Sequence, residues 1–332
     1  MSRPKTGNAR DHVNDGADQG ALKLVDGHTI TYHTIGNTGL PLMIFVVGSS
    51  GLGSLYRRLA IELSATFRCV YYDKRGFLPA NTDEATFARR TNQLVLAGQH
   101  ADDAAALIKY LSPNNLVYVF GTSTGGTAVL DLAVRYPKLI QTAILHEPIT
   151  FTVMPQTELK EEILALYRSL PFLEEQVEGS KTYGSYMFCP HSKKTSAVLR
   201  ERLSRQSQED VVIPNRSTLL PAKGAQEFNS RQGEQEGAAM LAYQVDVQQV
   251  RDIKDKLLLI RGDESRDWPI SRPVVDLALA LGEHKQVWEL VGDHLSFAAR
   301  RNVEAFVGQL VDLMRREGRI SVSTDSETRA RL

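Results

Sequence analysis

The stretch of sequence that decides the fold is Gly121-Thr122-Ser123-Thr124-Gly125. The apolar run 116–120 precedes it and is typical of a short buried strand. Apolar residues at helical spacing follow it and end before Pro137. A G-x-S-x-G sequence between a strand and a helix predicts a tight turn that lifts a serine hydroxyl above the edge of a sheet. The flanking glycines fit this prediction because such a turn leaves little room for side chains beside the serine.

Strands and helices alternate on both sides of this turn. Apolar runs predict strands at 21–25, 29–34, 42–47, 68–73, 116–120, 139–146, 256–261 and 286–291, and helical periodicity predicts helices at 55–63, 92–111, 274–281 and 302–316. This alternation predicts an α/β fold, a mostly parallel sheet with helices on both faces.

The domain organisation follows from where the alternation stops. Residues 151–255 carry amphipathic stretches without strand signals, which predicts a helical cap inserted into the α/β core. The core then comprises residues 20–150 and 256–317. Residues 1–19 and 318–332 are polar, and we expect a disordered tail at the N-terminus and a second tail at the C-terminus.

Composition excludes several classes of protein. The 332 residues carry 39 basic and 39 acidic side chains, so no net charge attracts nucleic acid or an anionic membrane surface. No apolar run is long enough to span a bilayer, and the polar N-terminus is unlike a signal peptide, which predicts a cytoplasmic protein. The two cysteines lack partners at metal-ligand spacing. We expect no metal and no organic cofactor.

A serine hydroxyl at this turn needs a base to become a nucleophile. In this arrangement the base follows the last strand, because the loop after that strand returns to the edge of the sheet that carries the serine. His294 lies there, between the predicted strand 286–291 and the closing helix. Of the seven other histidines, His146 also falls near that edge, but a buried structural histidine explains it equally well. Ser123 and His294 are the predicted nucleophile and base.

The acid that would orient this base has three candidates. Its commonest position is three residues past the glycine that ends the strand 256–261, but Ser265 stands there. Asp263 and Asp267 flank that position, each about two residues away. Glu147 ends the strand that follows the helix after Ser123, so its carboxylate should emerge at the same edge of the sheet.

A resemblance favours Glu147 among these. Leu145-His146-Glu147-Pro148 resembles a branch of the α/β-hydrolases with an HEP-type turn, and is similar to the zearalenone lactone hydrolases, whose catalytic acid is a glutamate at this turn. Glu147 lies 24 residues after Ser123, the spacing found in that family. The resemblance covers residues 29–150 and 256–315. It implies the α/β-hydrolase fold and a lactonase that opens a bulky apolar macrolactone such as the mycotoxin zearalenone.

The oxyanion of an acyl-transfer reaction needs two backbone N–H donors. One should belong to Thr124, the residue after the nucleophile. Register and the similarity of residues 50–53 to the family's oxyanion loop assign the other to Gly51, with Ser50 or Leu52 as alternatives. Predicted substrate-binding residues come from this loop and the cap: Ser50, Leu52, Met154, Tyr186, Met187, Phe188, Phe228 and Tyr243.

These residues predict a hydrolase of carboxylic esters or lactones with a small-molecule substrate. A general carboxylesterase and a C–C bond hydrolase would share the same motifs. Epoxide hydrolases and haloalkane dehalogenases are disfavoured because they need a carboxylate at position 123. A non-catalytic binding module is disfavoured because it has no use for this set of side chains. The sequence is compatible with a homodimer formed through the cap or an edge strand.

Overall fold

The computed structural model describes residues 17–48, 51, 53–75, 98–150, 153, 243–244, 246–266, 269–282, 285–294 and 302–321. The strands in these ranges are β1 (Asp18–Lys23), β2 (Thr29–Ile35), β3 (Leu42–Val46), β4 (Arg68–Tyr72), β5 (Val117–Thr122), β6 (Ile140–His146), β7 (Leu257–Gly262) and β8 (Val287–Leu290). The α-helices are α1 (Arg57–Leu63), α2 (Gln99–Leu111), α3 (Thr124–Arg135), α4 (Val247–Asp252), α5 (Arg272–Leu281) and α6 (Val303–Arg316).

The strands form one sheet in the order β1-β2-β4-β3-β5-β6-β7-β8. β2 pairs antiparallel with β1 and with β4, and every other neighbouring pair is parallel. The carboxyl ends of β3 to β8 therefore meet at one edge of the sheet, called here the carboxyl edge. The predicted α/β fold is confirmed.

Helices cover both faces of this sheet. The continuous apolar run of β3 is buried on both sides, as expected for a central parallel strand. Met43 and Phe45 pack on the face that carries α1 and α6. Ile44 and Val46 pack on the opposite face, with α2, α3 and α5. Two apolar layers therefore hold the strand ends in place.

Three predicted boundaries differ from the structure. β1 begins at Asp18, inside the predicted N-terminal tail, because its residues pair with 29–34 of β2. At the other end Ile320 packs on the core and the Tyr118 hydroxyl donates to the carbonyl of Arg319 at 2.5 Å, so the core extends past residue 317. Helix α4, placed within the predicted cap, buries Val250 in the core beside α5. Residues 154–242 of that cap lie outside the described residues.

Candidate active site

The turn between β5 and α3 has the predicted geometry. Ser123 adopts φ 60° and ψ −129°, a conformation that non-glycine residues rarely adopt. A Cβ on Gly121 would lie 2.4 Å from the carbonyl oxygen of Gly125, and one on Gly125 would lie 2.2 Å from that of Val46. Both positions therefore require glycine. The Ser123 N–H donates to the carbonyl of His146 at 3.2 Å, which ties the turn to the end of β6.

Glu147 follows His146 directly and is completely buried. Its backbone turns with φ 44°, and its N–H donates to the carbonyl of Ile260 on β7 at 3.1 Å. The side chain meets His294, whose Nδ1 lies 2.6 Å from Glu147 Oε2. The structure thus brings together two groups that are 147 residues apart in the chain.

The second carboxylate oxygen of Glu147 accepts three further hydrogen bonds. The Gly262 N–H donates to Oε1 at 3.0 Å, the Ser271 hydroxyl at 2.6 Å, and the Ser265 hydroxyl also donates to it. Burial alone would raise the pKa of Glu147, but the hydrogen bonds from His294 and Ser265, with the neighbouring imidazoles, lower it to about 2. Glu147 is therefore a carboxylate at neutral pH.

The loop that carries His294 is fastened to the turn after β7. The Gly292 N–H donates to Asp263 Oδ1 at 2.8 Å, and the Asp263 N–H donates to the carbonyl of Leu290 at 2.8 Å. Asp263, an alternative acid in the sequence analysis, thus directs its carboxylate to the backbone of the loop. The other alternative, Asp267, lies outside the described residues.

His146, the last residue of β6, contacts the pair formed by Glu147 and His294. Its ring stacks on that of His294, with centroids 5.9 Å apart and planes 22° apart. Its Nδ1 is 3.2 Å from the Thr122 hydroxyl. Burial lowers the pKa of His146 to about 4, while Glu147 acts in the opposite direction. His146 is therefore a neutral buried histidine at pH 7, in line with its structural interpretation.

The predicted oxyanion donors belong to the first residue of α3 and to the loop after β3. Thr124 is the first residue of α3. Gly51 follows β3, and its N–H donates to the carbonyl of Gly48 at 3.0 Å while its own carbonyl accepts from the Lys74 N–H at 2.8 Å. The Gly51 N–H is thus used within its own loop in this conformation, and would have to leave Gly48 to meet an oxyanion. Ser50 and Leu52 lie outside the described residues.

One predicted substrate-binding residue of the cap, Tyr243, lies within the described residues. Met154, Tyr186, Met187, Phe188 and Phe228 lie outside the described residues. Tyr243 is described, and its hydroxyl donates to Asp131 Oδ1 at 2.8 Å. Asp131 is two turns along α3 from Ser123, a distance of about 12 Å. Tyr243 therefore anchors its segment to α3.

Sequence reasoning did not identify Ser265 and Ser271 as site residues. Ser265 stands three residues past Gly262, where the acid of this fold is usually found. A serine at the usual position of the acid was the one feature of the sequence that could have pointed to Ser265. Ser271 precedes α5 by one residue and had no signal of its own. Among the described residues, no three side chains of the metal-binding types cluster together. Within the same residues, no helix has the length and apolar character needed to cross a membrane.

Sequence comparisons find similarity to hydrolases. No protein-family model matches the chain. The uncharacterized hydrolase YraK of Bacillus subtilis is 31% identical over 137 residues, which cover 41% of this chain and 47% of YraK. The 2-(acetamidomethylene)succinate hydrolase of Mesorhizobium japonicum is 25% identical over 252 residues, 75% of this chain and 80% of the relative. The chain thus spans about half the length of one of these relatives and four fifths of the other.

Solved structures of several hydrolases superpose on the fold. A bacterial membrane phospholipase A matches with a TM-score of 0.57 and 18% identity, over 91% of this chain and 87% of its own. A thermophilic esterase from Thermogutta terrifontis matches with a TM-score of 0.56 and 18% identity, over 91% of this chain and 99% of its own. The enol-lactonase from Burkholderia xenovorans matches with a TM-score of 0.55 and 16% identity, over 89% of this chain and 99% of its own. Together with the strand order, these matches define the class: this protein has the α/β-hydrolase fold.

Proposed function

We propose that this protein is a serine hydrolase that cleaves a carboxylic ester or lactone through an acyl-enzyme. The observation that carries the proposal is the contact of 2.6 Å between Glu147 Oε2 and His294 Nδ1, at the edge of the sheet where the strained turn presents Ser123. A buried carboxylate on an imidazole, beside a serine at a strand-to-helix turn, is the arrangement that activates a serine hydroxyl.

Each group has one role in the proposed reaction. Ser123 Oγ attacks the carbonyl carbon, and His294 Nε2 takes its proton and passes it to the leaving alcohol oxygen. The ionised Glu147 accepts the hydrogen bond from Nδ1–H, which keeps Nε2 as the basic nitrogen and stabilises the imidazolium. The Thr124 N–H and an N–H of the loop 48–51 hold the oxyanion. Water, activated in the same way by His294, then releases the acid.

The narrower proposal is a lactonase acting on a bulky apolar macrolactone such as zearalenone. Two features support it: the turn 145–148, which resembles that of the zearalenone lactone hydrolases, and the spacing of 24 residues between Ser123 and Glu147. Lactone opening needs no group beyond those of ester hydrolysis, because a lactone is a cyclic ester whose leaving alcohol stays attached to the acyl chain.

Replacing Ser123 by Ala tests the hydrolase, because it removes the atom that attacks the carbonyl. We expect hydrolysis of p-nitrophenyl butyrate to fall about 10⁴-fold or more. Ser64→Ala is the matched control, since Ser64 lies before β4 at the opposite edge of the sheet and its hydroxyl donates to the carbonyl of Ile61 at 2.7 Å. Retained hydrolysis in Ser123→Ala would disprove the nucleophile assignment.

Turnover of zearalenone by the native protein, followed by chromatography of the ring-opened product, tests the lactonase separately. Ester hydrolysis without zearalenone opening would leave a general carboxylesterase.

The similarity to the 2-(acetamidomethylene)succinate hydrolase over 75% of the chain favours a second candidate, hydrolysis of a small acidic substrate of that kind. Faster turnover of 2-(acetamidomethylene)succinate than of any ester or lactone would select it.

A further inference from the structure

We propose that Ser265 and Ser271 are positioning residues that hold the carboxylate of Glu147 in the orientation that directs Oε2 at His294 Nδ1. This inference rests on the proposed function, because it concerns the acid of the same site. It adds two residues from separate segments, the turn after β7 and the residue before α5, to a group that comes from β6. Both side chains are fully buried.

The hydrogen bonds divide cleanly between the two carboxylate oxygens. Oε1 accepts from both serine hydroxyls and from the Gly262 N–H, whereas Oε2 lies against His294 Nδ1. A carboxylate that is free to rotate about its last bond would exchange these oxygens and lose the alignment with the imidazole. Three donors on Oε1 oppose that rotation, so Oε2 remains directed at His294.

The Ser265 hydroxyl has two acceptors and only one proton. Its oxygen lies 3.2 Å from the carbonyl of Gly262 and closer than that to Glu147 Oε1. The charged acceptor at the shorter distance takes the proton, since hydrogen bonds to ionised groups are the stronger kind. Ser265 therefore donates to the carboxylate, and a serine occupies the position where this fold commonly carries the acid itself.

A purely structural explanation makes a different prediction. Two buried hydroxyls that only satisfy local polar groups would contribute to stability and not to chemistry. Positioning instead requires that their effect depends on the charge of Glu147. A double-mutant cycle separates the two explanations, because residues that act through one partner are not additive with it.

The cycle compares Ser265→Ala and Ser271→Ala in the native protein and in Glu147→Gln, with p-nitrophenyl butyrate as substrate. In the native background we expect each change to lower kcat about tenfold, with KM changed less than about twofold. In the Glu147→Gln background the same changes should lower kcat less than about twofold. Ser64→Ala serves as control in both backgrounds.

A second measurement does not depend on turnover. The side-chain carboxyl carbon of Glu147, observed by NMR in carbon-labelled protein, reports its titration directly. Removal of either hydroxyl should raise the pKa of Glu147 from about 2, because each donor stabilises the ionised form. Ser64→Ala should leave the titration unchanged.

Three results would overturn the inference: an equal loss of kcat in both backgrounds, a change in KM alone, or an unchanged kcat together with an unchanged titration of Glu147. None of these results bears on the proposed function, which is tested separately by the activity of Ser123→Ala and by the choice of substrate. If Ser123→Ala is active, the carboxyl titration still decides whether the two serines hold Glu147.

Discussion

At the scale of single residues, Glu147 departs most from the usual arrangement of this fold. Its carboxylate comes from the end of β6, one strand away from the commonest position of the acid after β7. Ionisation of a fully buried carboxyl is costly unless hydrogen bonds and charges compensate. Four donors, including His294, supply that compensation and keep the pKa of Glu147 near 2.

Replacing Glu147 by Gln should lower kcat for ester hydrolysis about 10³- to 10⁴-fold, because an amide cannot stabilise the imidazolium of His294. Steady-state kinetics with p-nitrophenyl butyrate measure the loss. Asp263→Asn is the matched control, since Asp263 is on the adjacent turn and its carboxylate accepts from the backbone N–H of Gly292 in the loop. We expect it to remain within about tenfold of the native rate. If Asp263→Asn lost more activity than Glu147→Gln, Asp263 would be the acid.

At the scale of elements, the turn between β5 and α3 depends on close approach of three backbone segments. Gly125, in the first turn of α3, packs against the end of β3, where a Cβ would lie 2.2 Å from the Val46 carbonyl oxygen. The obstructing atoms belong to backbone, so no side chain can move aside to make room. The nucleophile and the loop after β3 are thereby held together.

Replacing Gly125 by Ala should destabilise the protein by several kcal/mol and abolish activity, because β3 and α3 must separate. Gly308→Ala is a control with the opposite expectation. A Cβ on Gly308, within α6, meets nothing within 4 Å, and alanine should stabilise that helix by about 1 kcal/mol. Urea unfolding of both variants measures the two changes. Equal stability of Gly125→Ala and the native protein would contradict the described packing.

At the scale of the whole molecule, parallel pairing gathers the site. The strands β5, β6, β7 and β8 are neighbours and end at the carboxyl edge. Their loops carry Ser123, Glu147, the serine donors and His294. The cost of this convergence is a set of ionisable groups buried among the strand ends.

Acid should destabilise the protein through these buried groups. The folded pKa of His146, about 4, lies below its ordinary 6.5, so the unfolded chain binds its proton first and stability is lost as pH falls from 6.5 to 4. Burial also lowers the pKa of His100. Glu147 contributes stability above pH 4.5 that is lost as pH falls from 4.5 to 2.

Urea unfolding at pH 7, 5.5 and 4 checks this order in the native protein and in His146→Phe. We expect the native free energy of unfolding to fall between pH 6.5 and 4, and the variant to show a shallower fall over the same interval. His33→Phe, on β2, is the control for loss of a histidine outside this cluster. An equal slope in the native protein and in His146→Phe would show that His146 does not titrate with unfolding.

The order of strands and helices could be predicted because its signals are local. The turn around Ser123 needs only an apolar strand, two glycines and a following helix, all within about twenty residues. The boundaries at Asp18 and α4 could not be read in the same way, because long-range pairing and packing set them. His294 could be proposed at the carboxyl edge from its place after the last strand, whereas its pairing with Glu147 was predicted only through a family resemblance.

The sequence by itself determined the α/β alternation, the strained turn at Ser123 and the presence of a histidine after the last strand, since each follows from residues close in the chain. Only the tertiary structure decided which carboxylate meets His294. Position along the chain left Glu147, Asp263 and Asp267 open and a family resemblance favoured Glu147; the structure places the Glu147 carboxylate against His294, while Asp263 bonds the loop backbone. Ser265 and Ser271 reach Glu147 across 118 and 124 residues, a distance over which local pattern carries no information.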